Sequence, residues 1–127
     1  MKSLTDLRVL VVDDQKSMRG LACHYLGELG VAHVEEAESA TAALATMQKQ
    51  VFDLIILDWN MEGMSGIDLL KAIRSVRELD RIKVIMATSE GSLMKVHEAT
   101  SLGANHYVVK PFQKGDLSSR ISQVFHA

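Results

Sequence analysis

The chain has 127 residues, 47% of them hydrophobic, and a formal net charge of -2, which is typical of one soluble globular domain. This charge gives no basis for binding nucleic acid or an anionic membrane, and the apolar runs are shorter than the roughly 20 residues of a membrane span. The only cysteine, Cys23, excludes an internal disulfide bond and is typical of a reducing compartment. Because the amino-terminal segment lacks a cleavage site, we expect a cytoplasmic protein without a signal peptide.

The first half of the chain alternates between strand and helix patterns. Arg8–Val12 is an apolar, β-branched run that predicts a buried strand, and the segment after it has apolar residues at helical spacing. His33–Ala37 is a shorter and more polar strand pattern, and a second helix follows it. Leu54–Leu57 predicts a second buried strand. The residues that mark the ends of these elements are Gly30 after the first helix, Ser39 before the second helix, and Asp58 after the buried strand.

The second half continues this alternation after a glycine-containing loop at Glu62–Gly66. A helix follows the loop, and Lys83–Ala87 then predicts a third buried strand. A less clearly amphipathic helix covers roughly Ser92–Ser101, and Tyr107–Val109 is a short strand pattern. Asp116 is expected to cap a last helix that has one apolar face.

Strand and helix patterns that alternate five times in one small domain predict a parallel sheet with helices on both faces. The three most apolar runs fit strands that are covered on both sides, whereas the polar run His33–Ala37 fits a sheet edge. We therefore expect an α/β fold, a flavodoxin-like (βα)5 three-layer sandwich with strand order 2-1-3-4-5. Residues 1–127 are expected to form this single domain, without an output domain.

Three aspartates and one lysine lie at or just past the ends of predicted strands. They are Asp13 and Asp14 after the first strand, Asp58 after the third, and Lys110 after the fifth. Alone, the Asp13-Asp14 pair is more typical of a turn or a helix cap. The carboxyl ends of parallel strands, however, meet at one edge of the sheet, where open α/β folds form ligand sites. Because clustered carboxylates repel one another, the pattern predicts a site for a hard, oxygen-seeking cation such as Mg²⁺.

Four motifs occur in the order and at the spacing of a known family. They are VLVVDDQ, LIILDWNMEGMSG, VIMATSEG and YVVKPF. Over essentially the full chain they resemble the response-regulator receiver domain, and most closely the single-domain chemotaxis regulators of the CheY type. The resemblance implies a signalling protein of a bacterial two-component system, and not an enzyme in the usual sense, because it catalyses only its own phosphorylation and dephosphorylation.

The resemblance implies a role for each residue of the acidic site. Asp58 matches the phosphoacceptor, which takes a phosphoryl group from a histidine kinase or from a small donor such as acetyl phosphate. Asp13 and Asp14 match the pair that holds Mg²⁺ directly and through water, and the backbone carbonyl of Asn60 matches a further metal ligand. Lys110 matches the lysine that pairs with a phosphoryl oxygen.

Other matched residues concern switching and the lifetime of the phosphorylated state. Thr88 matches the hydroxyl group that moves to bond the phosphate, and Tyr107 matches the aromatic residue whose ring then turns inward. Asn60 and Glu90 match positions that tune dephosphorylation. The resemblance also implies a cis peptide bond before Pro111, which would aim the preceding lysine into the site.

The resemblance implies protein partners. A histidine kinase would be the phosphodonor, and the surface of helix 4, strand 5 and helix 5 would bind a target such as a flagellar motor switch component. A phosphatase is a further partner of this kind. We expect a monomer that binds neither nucleic acid nor a membrane. Within the same class, the chain could instead be a phosphate sink that drains a kinase.

Two alternatives belong to other classes of protein. A Mg²⁺-dependent phosphatase-like enzyme would use Asp58 as its nucleophile, but the lack of a second general-acid carboxylate near Asp58 and of a cap domain argues against it. A flavodoxin-like FMN carrier would need a hydroxyl- and glycine-rich loop after the first strand, where this chain has Asp13-Asp14-Gln15. The receiver interpretation is therefore preferred.

Two positions depart from the family pattern. Glu62 stands where the family usually has proline, which removes a backbone restraint and adds a negative charge near the site. Ser89 stands where alanine is common, and its hydroxyl group would affect the switch loop. Trp59 directly follows Asp58, and we expect it to be partly exposed and to report on the site by its fluorescence.

Overall fold

A computed structural model describes residues 3–89 and 93–125, which contain a five-stranded parallel sheet. The strands are hydrogen-bonded in the order β2-β1-β3-β4-β5, so the predicted flavodoxin-like fold is confirmed. The polar strand β2 lies at an edge, as its sequence predicted. The strands are β1 (Arg8–Val12), β2 (His33–Ala37), β3 (Leu54–Asp58), β4 (Lys83–Thr88) and β5 (His106–Val109).

In the described residues, each strand is followed by an α-helix. Two of these helices begin after a serine whose side chain accepts a backbone N–H of the first turn: Ser39 from Ala42 at 3.1 Å, and Ser65 from Asp68 at 3.2 Å. Within the same residues, none of the helices has the length and apolar character that crossing a membrane requires. The helices are α1 (Lys16–Glu28), α2 (Ala40–Lys49), α3 (Gly66–Ser75), α4 (Leu93–Ser101) and α5 (Lys114–Phe125), with short 3-10 helices at Leu4–Asp6 and Arg77–Leu79.

The prediction that Asp116 caps the last helix is wrong in detail, because α5 already begins at Lys114. The Asp116 carboxylate lies in the first turn and accepts the backbone N–H of Gln113 at 2.9 Å. In that position it satisfies a free N–H group at the start of the helix and lies near the positive end of the helix dipole. Asp116 therefore stabilises the helix start from inside the helix.

Two apolar layers cover the sheet because successive side chains of a strand point to opposite faces. One layer joins the strands to α2, α3 and α4, and the other joins them to α1 and α5. Every residue of the central strand β3 is buried, and each fully buried leucine or isoleucine contributes about 1.5–3 kcal/mol relative to exposure. This packing fixes where the strand ends lie relative to one another.

Strands β3 and β4 each extend one residue further than the sequence predicted, to Asp58 and Thr88. Asp58 is paired with Ala87 on the neighbouring strand, and Thr88 is paired with Val109. Two of the predicted site residues are thus part of the sheet itself, where the backbone of the adjacent strand restricts their movement.

Candidate functional site

The three aspartates predicted to form a site lie together at the carboxyl end of the sheet. One ligand oxygen from each of Asp13, Asp14 and Asp58 lies within 4.8 Å of the others. Asp13 and Asp58 are buried, with 4% and 5% of their surface exposed, whereas Asp14 is exposed. The site is therefore a crevice with two buried acids at its base and one acid at its rim.

Lys110 reaches into this crevice from the loop after β5. Its Nζ donates hydrogen bonds to Asp13 Oδ2 and to Asp58 Oδ1, each at 2.8 Å. Its backbone N–H donates to the carbonyl oxygen of Thr88 at 2.7 Å, so the start of this loop is held against the end of β4. The peptide bond between Lys110 and Pro111 is cis, as expected.

Burial and mutual repulsion shape the charge state of the site. The pKa of Asp58 is raised above its ordinary value, first because burial disfavours the charged form and further because Asp13 and Asp14 are negative. The hydrogen bond from Lys110 opposes this shift only in part. Burial also disfavours the charged form of Lys110, but its hydrogen bonds to Asp13 and Asp58 outweigh this effect and raise its pKa. An added cation would favour the ionised form of Asp58.

Backbone contacts hold the loop after β1 in place. The backbone N–H of Asp13 donates to Ala37 at 3.1 Å, and the Oδ1 atom of Asp13 accepts the backbone N–H of Gln15 at 2.9 Å. Arg19 donates to the carbonyl oxygen of Asp13 at 2.7 Å and to Glu36 on β2 at 3.2 Å. Sequence reasoning missed Arg19, and the only available signal is a basic residue about one turn into the helix that follows the acidic pair.

The loop between β3 and α3 packs closely on the backbone of Asp58. The N–H of Gly66 donates to the carbonyl oxygen of Trp59 at 2.9 Å, and a Cβ atom on Gly66 would overlap the backbone carbonyl of Asp58. Only glycine fits this approach. In the same loop, the backbone N–H of Glu62 donates to Asp14 Oδ2 at 3.3 Å.

The donor set of the crevice fits a divalent cation. Among the described residues of the crevice, three carboxylates oppose a single ammonium group. Carboxylate oxygens are hard ligands, and Mg²⁺ prefers one or two of them together with water and other oxygen ligands. The exposed rim at Asp14 leaves access for the water molecules that such an ion keeps.

Comparison with known proteins identifies the family. Residues 9–122 match the family model of the response regulator receiver domain. The chain belongs to this family. It is 39% identical over 120 residues to chemotaxis protein CheY-3 of Vibrio cholerae, and the alignment covers 94% of this chain and 92% of the relative. The predicted receiver-domain resemblance is thus confirmed, and the family consists of signalling proteins rather than classical enzymes.

Solved structures of receiver domains share the fold along nearly the whole chain. Vibrio cholerae chemotaxis protein CheY4 has a TM-score of 0.88 at 37% identity, with 94% of this chain and 98% of that chain covered. A chain of the CheX-CheY-BeF3-Mg²⁺ complex from Borrelia burgdorferi has a TM-score of 0.87 at 25% identity, with 94% and 89% covered. That second structure contains a receiver protein together with a partner protein and Mg²⁺.

In this receiver domain Trp59 is buried, with 8% of its surface exposed, so the prediction of a partly exposed side chain is wrong. Its backbone N–H donates to Ala87 at 2.9 Å and continues the ladder between β3 and β4. Successive side chains along a strand point to opposite faces, so Trp59 joins the apolar layer although Asp58 faces the crevice. The ammonium group of Lys95 on α4 lies 5.2 Å from the centre of its ring.

The two predicted switch residues occupy neighbouring strands of the receiver domain. Thr88 is the last residue of β4 and is 1% exposed. Tyr107 is partly buried on β5, and Arg120 on α5 donates from Nε to its carbonyl oxygen at 2.9 Å. The guanidinium carbon of Arg120 lies 5.3 Å from the centre of the Tyr107 ring. Sequence reasoning missed Arg120, because a single basic residue on an amphipathic helix is usually only solvated.

The described residues do not test the roles of three other predicted positions. Asn60 is exposed in the loop that follows Trp59, and Ser89 is exposed just after β4. Glu90 lies outside the described residues. The metal-binding role of the Asn60 carbonyl and the tuning roles of Asn60 and Glu90 therefore stay predictions.

Proposed function

We propose that this receiver domain is a phosphorylation-activated switch of a two-component system, in which Asp58 accepts the phosphoryl group. The observation that carries the proposal is the contact of one ammonium group, on Lys110, with two buried carboxylates, each at 2.8 Å. The ammonium group partly neutralises Asp58, the proposed nucleophile, at the end of β3. Asp13 and Asp14 lie beside it and offer further oxygen ligands. Family membership supports the same interpretation.

In the proposed reaction, a carboxylate oxygen of Asp58 attacks the phosphorus atom of the donor. The bond between phosphorus and the donor's nitrogen or oxygen atom breaks, and the leaving group keeps that electron pair. Lys110 offsets the negative charge on the phosphoryl oxygens, which is how most phosphoryl transfer is accelerated. Mg²⁺ held by the acidic cluster would supply positive charge that offsets the repulsion between the anionic donor and the carboxylate. We assign its ligands to Asp13, Asp14, Asp58 and the backbone carbonyl of Asn60.

We further propose that the phosphoryl group draws Thr88 and Lys110 toward itself, because it adds charge and strong hydrogen-bond acceptors. The hydrogen bond between the Lys110 backbone and the Thr88 carbonyl links the two residues and supports a joint movement. Tyr107 then turns inward, and the surface formed by α4, β5 and α5 changes its binding properties. Asn60 and Glu90 would set how long this state lasts.

The proposed partners follow from the relatives. A histidine kinase is the phosphodonor, and chemotaxis is the pathway that the curated relative's name supports. The output is the binding of another protein in the cytoplasm, such as a flagellar motor switch component, by a monomeric single domain. The CheX-CheY complex supports the idea that such receivers bind partner proteins, among which a phosphatase is also expected. If this protein took phosphoryl groups from a kinase but did not bind the motor, the phosphate-sink role would be favoured instead.

Incubation with Mg²⁺ and acetyl phosphate, followed by intact mass measurement, tests the core of the proposal. We expect an adduct of about 80 Da, the mass of one phosphoryl group, which excess EDTA and the substitution Asp58→Asn both abolish. Asp53→Asn is the matched control, because Asp53 lies at the other end of β3, and this variant should keep the adduct. A wild-type protein that stays unmodified would contradict the proposal.

A further inference from the structure

Glu62 contacts the metal-site candidate through its backbone and not through its charge. Its N–H donates to Asp14 Oδ2 at 3.3 Å, across 48 residues of sequence. The Glu62 side chain is exposed, and it is not among the acids that cluster within 4.8 Å of one another in the described residues. The sequence predicts that Glu62 removes a backbone restraint and adds a negative charge near the site, whereas the contact in the structure is made by its N–H group.

Asp14 needs such a restraint more than the other two acids do. Asp13 and Asp58 are buried, and Lys110 holds both of them, but Asp14 is exposed at the rim. An exposed side chain samples several rotamers and loses that freedom when it binds a ligand. The rotamer that accepts the Glu62 N–H is also the one in which Asp14 lies within the acidic cluster.

We propose that the backbone N–H of Glu62 is a positioning group that holds the Asp14 carboxylate in the orientation required for binding a divalent cation. This inference rests on the proposed function, because it assumes that the acidic cluster binds Mg²⁺. A carboxylate has two oxygens with several lone pairs, so it can accept this N–H and still bind a cation. A proline at position 62 removes the donor, because proline has no backbone N–H.

Substitutions of Glu62 separate the N–H group from the charge. Glu62→Ala and Glu62→Gln remove the charge and keep the N–H, whereas Glu62→Pro removes both. Mg²⁺ affinity is measured by calorimetry and by Trp59 fluorescence. We expect Glu62→Ala and Glu62→Gln to bind Mg²⁺ within about twofold of the wild type, because exposed charges are screened. Glu62→Pro should bind about threefold more weakly than Glu62→Ala, since it loses a hydrogen bond to a charged group.

The outcomes distinguish this inference from the proposed function. Equal Mg²⁺ affinity in Glu62→Pro and Glu62→Ala, or tighter binding in Glu62→Pro, would overturn the positioning role. A wild-type protein that does not bind Mg²⁺ would instead remove the proposed metal site. Raising the salt concentration should reduce any difference between Glu62→Ala and the wild type but preserve the difference between Glu62→Pro and Glu62→Ala.

Amide NMR of the metal-free protein tests the same contact without relying on the folding of a proline variant. In Asp14→Ala, the amide proton of Glu62 should shift upfield and exchange faster with solvent, because its acceptor is gone. The amide of Asp68 is the control, since it donates to Ser65 Oγ at 3.2 Å in the same segment and should not change. A Glu62 amide that is unaffected by Asp14→Ala would overturn the inference.

Discussion

An aspartate lies at each end of strand β3, and the carboxylates of the two residues have different neighbours. Asp53 precedes the strand, and its Oδ2 atom accepts the backbone N–H of Arg8 at 2.9 Å. The backbone of Asp53 also bonds to Arg8 on β1 and to Lys83 on β4, at 2.8 and 3.0 Å. Asp58 ends the strand and is buried beside two other acids and one lysine.

The difference shows how the position of one residue type along a strand decides its surroundings. At the amino end, the carboxylate of Asp53 accepts the backbone N–H of Arg8 and so joins the start of β3 to β1. At the carboxyl end, folding brings carboxylates together, and the pKa of Asp58 rises because burial and repulsion disfavour its charge. Because the charged form of Asp58 is disfavoured in the folded protein, we expect this cluster to lower the stability of the fold at neutral pH.

The largest expected effect is that of Lys110→Met, which removes the ammonium group between Asp13 and Asp58. In EDTA at neutral pH, we expect the free energy of unfolding to fall by about 3 kcal/mol, as when a buried ion pair loses one partner. Urea denaturation measures this change. Lys114→Met is the control, because the pair of Lys114 with Glu28 is 3.7 Å long and about half exposed, so its loss should cost less than about 0.5 kcal/mol. If Lys110→Met and Lys114→Met lowered the free energy of unfolding equally, the contacts of Lys110 with Asp13 and Asp58 would not stabilise the protein more than an exposed ion pair does.

Alanine substitutions of the two aspartates should change stability in opposite directions. Asp53→Ala removes the acceptor for the Arg8 N–H, so we expect the free energy of unfolding to fall by about 1.5 kcal/mol. Asp58→Ala removes a carboxylate whose charged form is disfavoured by burial and by the neighbouring acids, while Lys110 keeps Asp13 as a partner, and we expect a gain of about 1 kcal/mol. Urea denaturation in EDTA measures both changes. If both variants were destabilised by a similar amount, the charge of Asp58 at the carboxyl end of β3 would not lower the stability of the wild type.

The gain in unfolding free energy expected for Asp58→Ala should be larger at neutral pH than in acid. The pKa of Asp58 is raised in the folded protein, so folding favours its protonated form. As pH falls through the folded pKa toward the unfolded value of about 3.9, the wild type gains stability relative to the variant. The difference measured by urea denaturation in EDTA should therefore be largest near neutral pH and should shrink in acid. A difference that grows in acid would contradict the raised pKa.

The sequence predicts most of the fold because buried parallel strands and their helices have strong local patterns. Continuous apolar runs located β1, β3 and β4, and the polar run of β2 located an edge. The position of Asp116 was predicted less well, because a carboxylate can stabilise a helix start from before it or from its first turn. The exact residue at which a helix begins depends on which side chain bonds the free N–H groups, and the spacing of apolar residues does not determine this.

The acidic cluster was also predictable, since topology alone brings the ends of β1, β3 and β5 to one edge. The contacts of Arg19 with the Asp13 carbonyl and of the Glu62 N–H with Asp14 were not. Both involve backbone atoms, which carry no residue-specific signal. The burial of Trp59 does not follow from its position next to Asp58, because neighbouring strand residues face opposite sides of the sheet.

The smallest expected effect concerns Trp59, the buried neighbour of Asp58 and the only tryptophan. Lys95→Met removes the ammonium group that lies 5.2 Å from the ring centre, and we expect a loss of about 0.5 kcal/mol in unfolding free energy. The intensity of Trp59 emission should change in the same variant, because a charge next to the indole ring is lost. Lys71→Met, on the exposed side of α3, should leave both quantities unchanged. If Lys95→Met also leaves the emission unchanged, then the Lys95 side chain on α4 does not contact the Trp59 ring in solution.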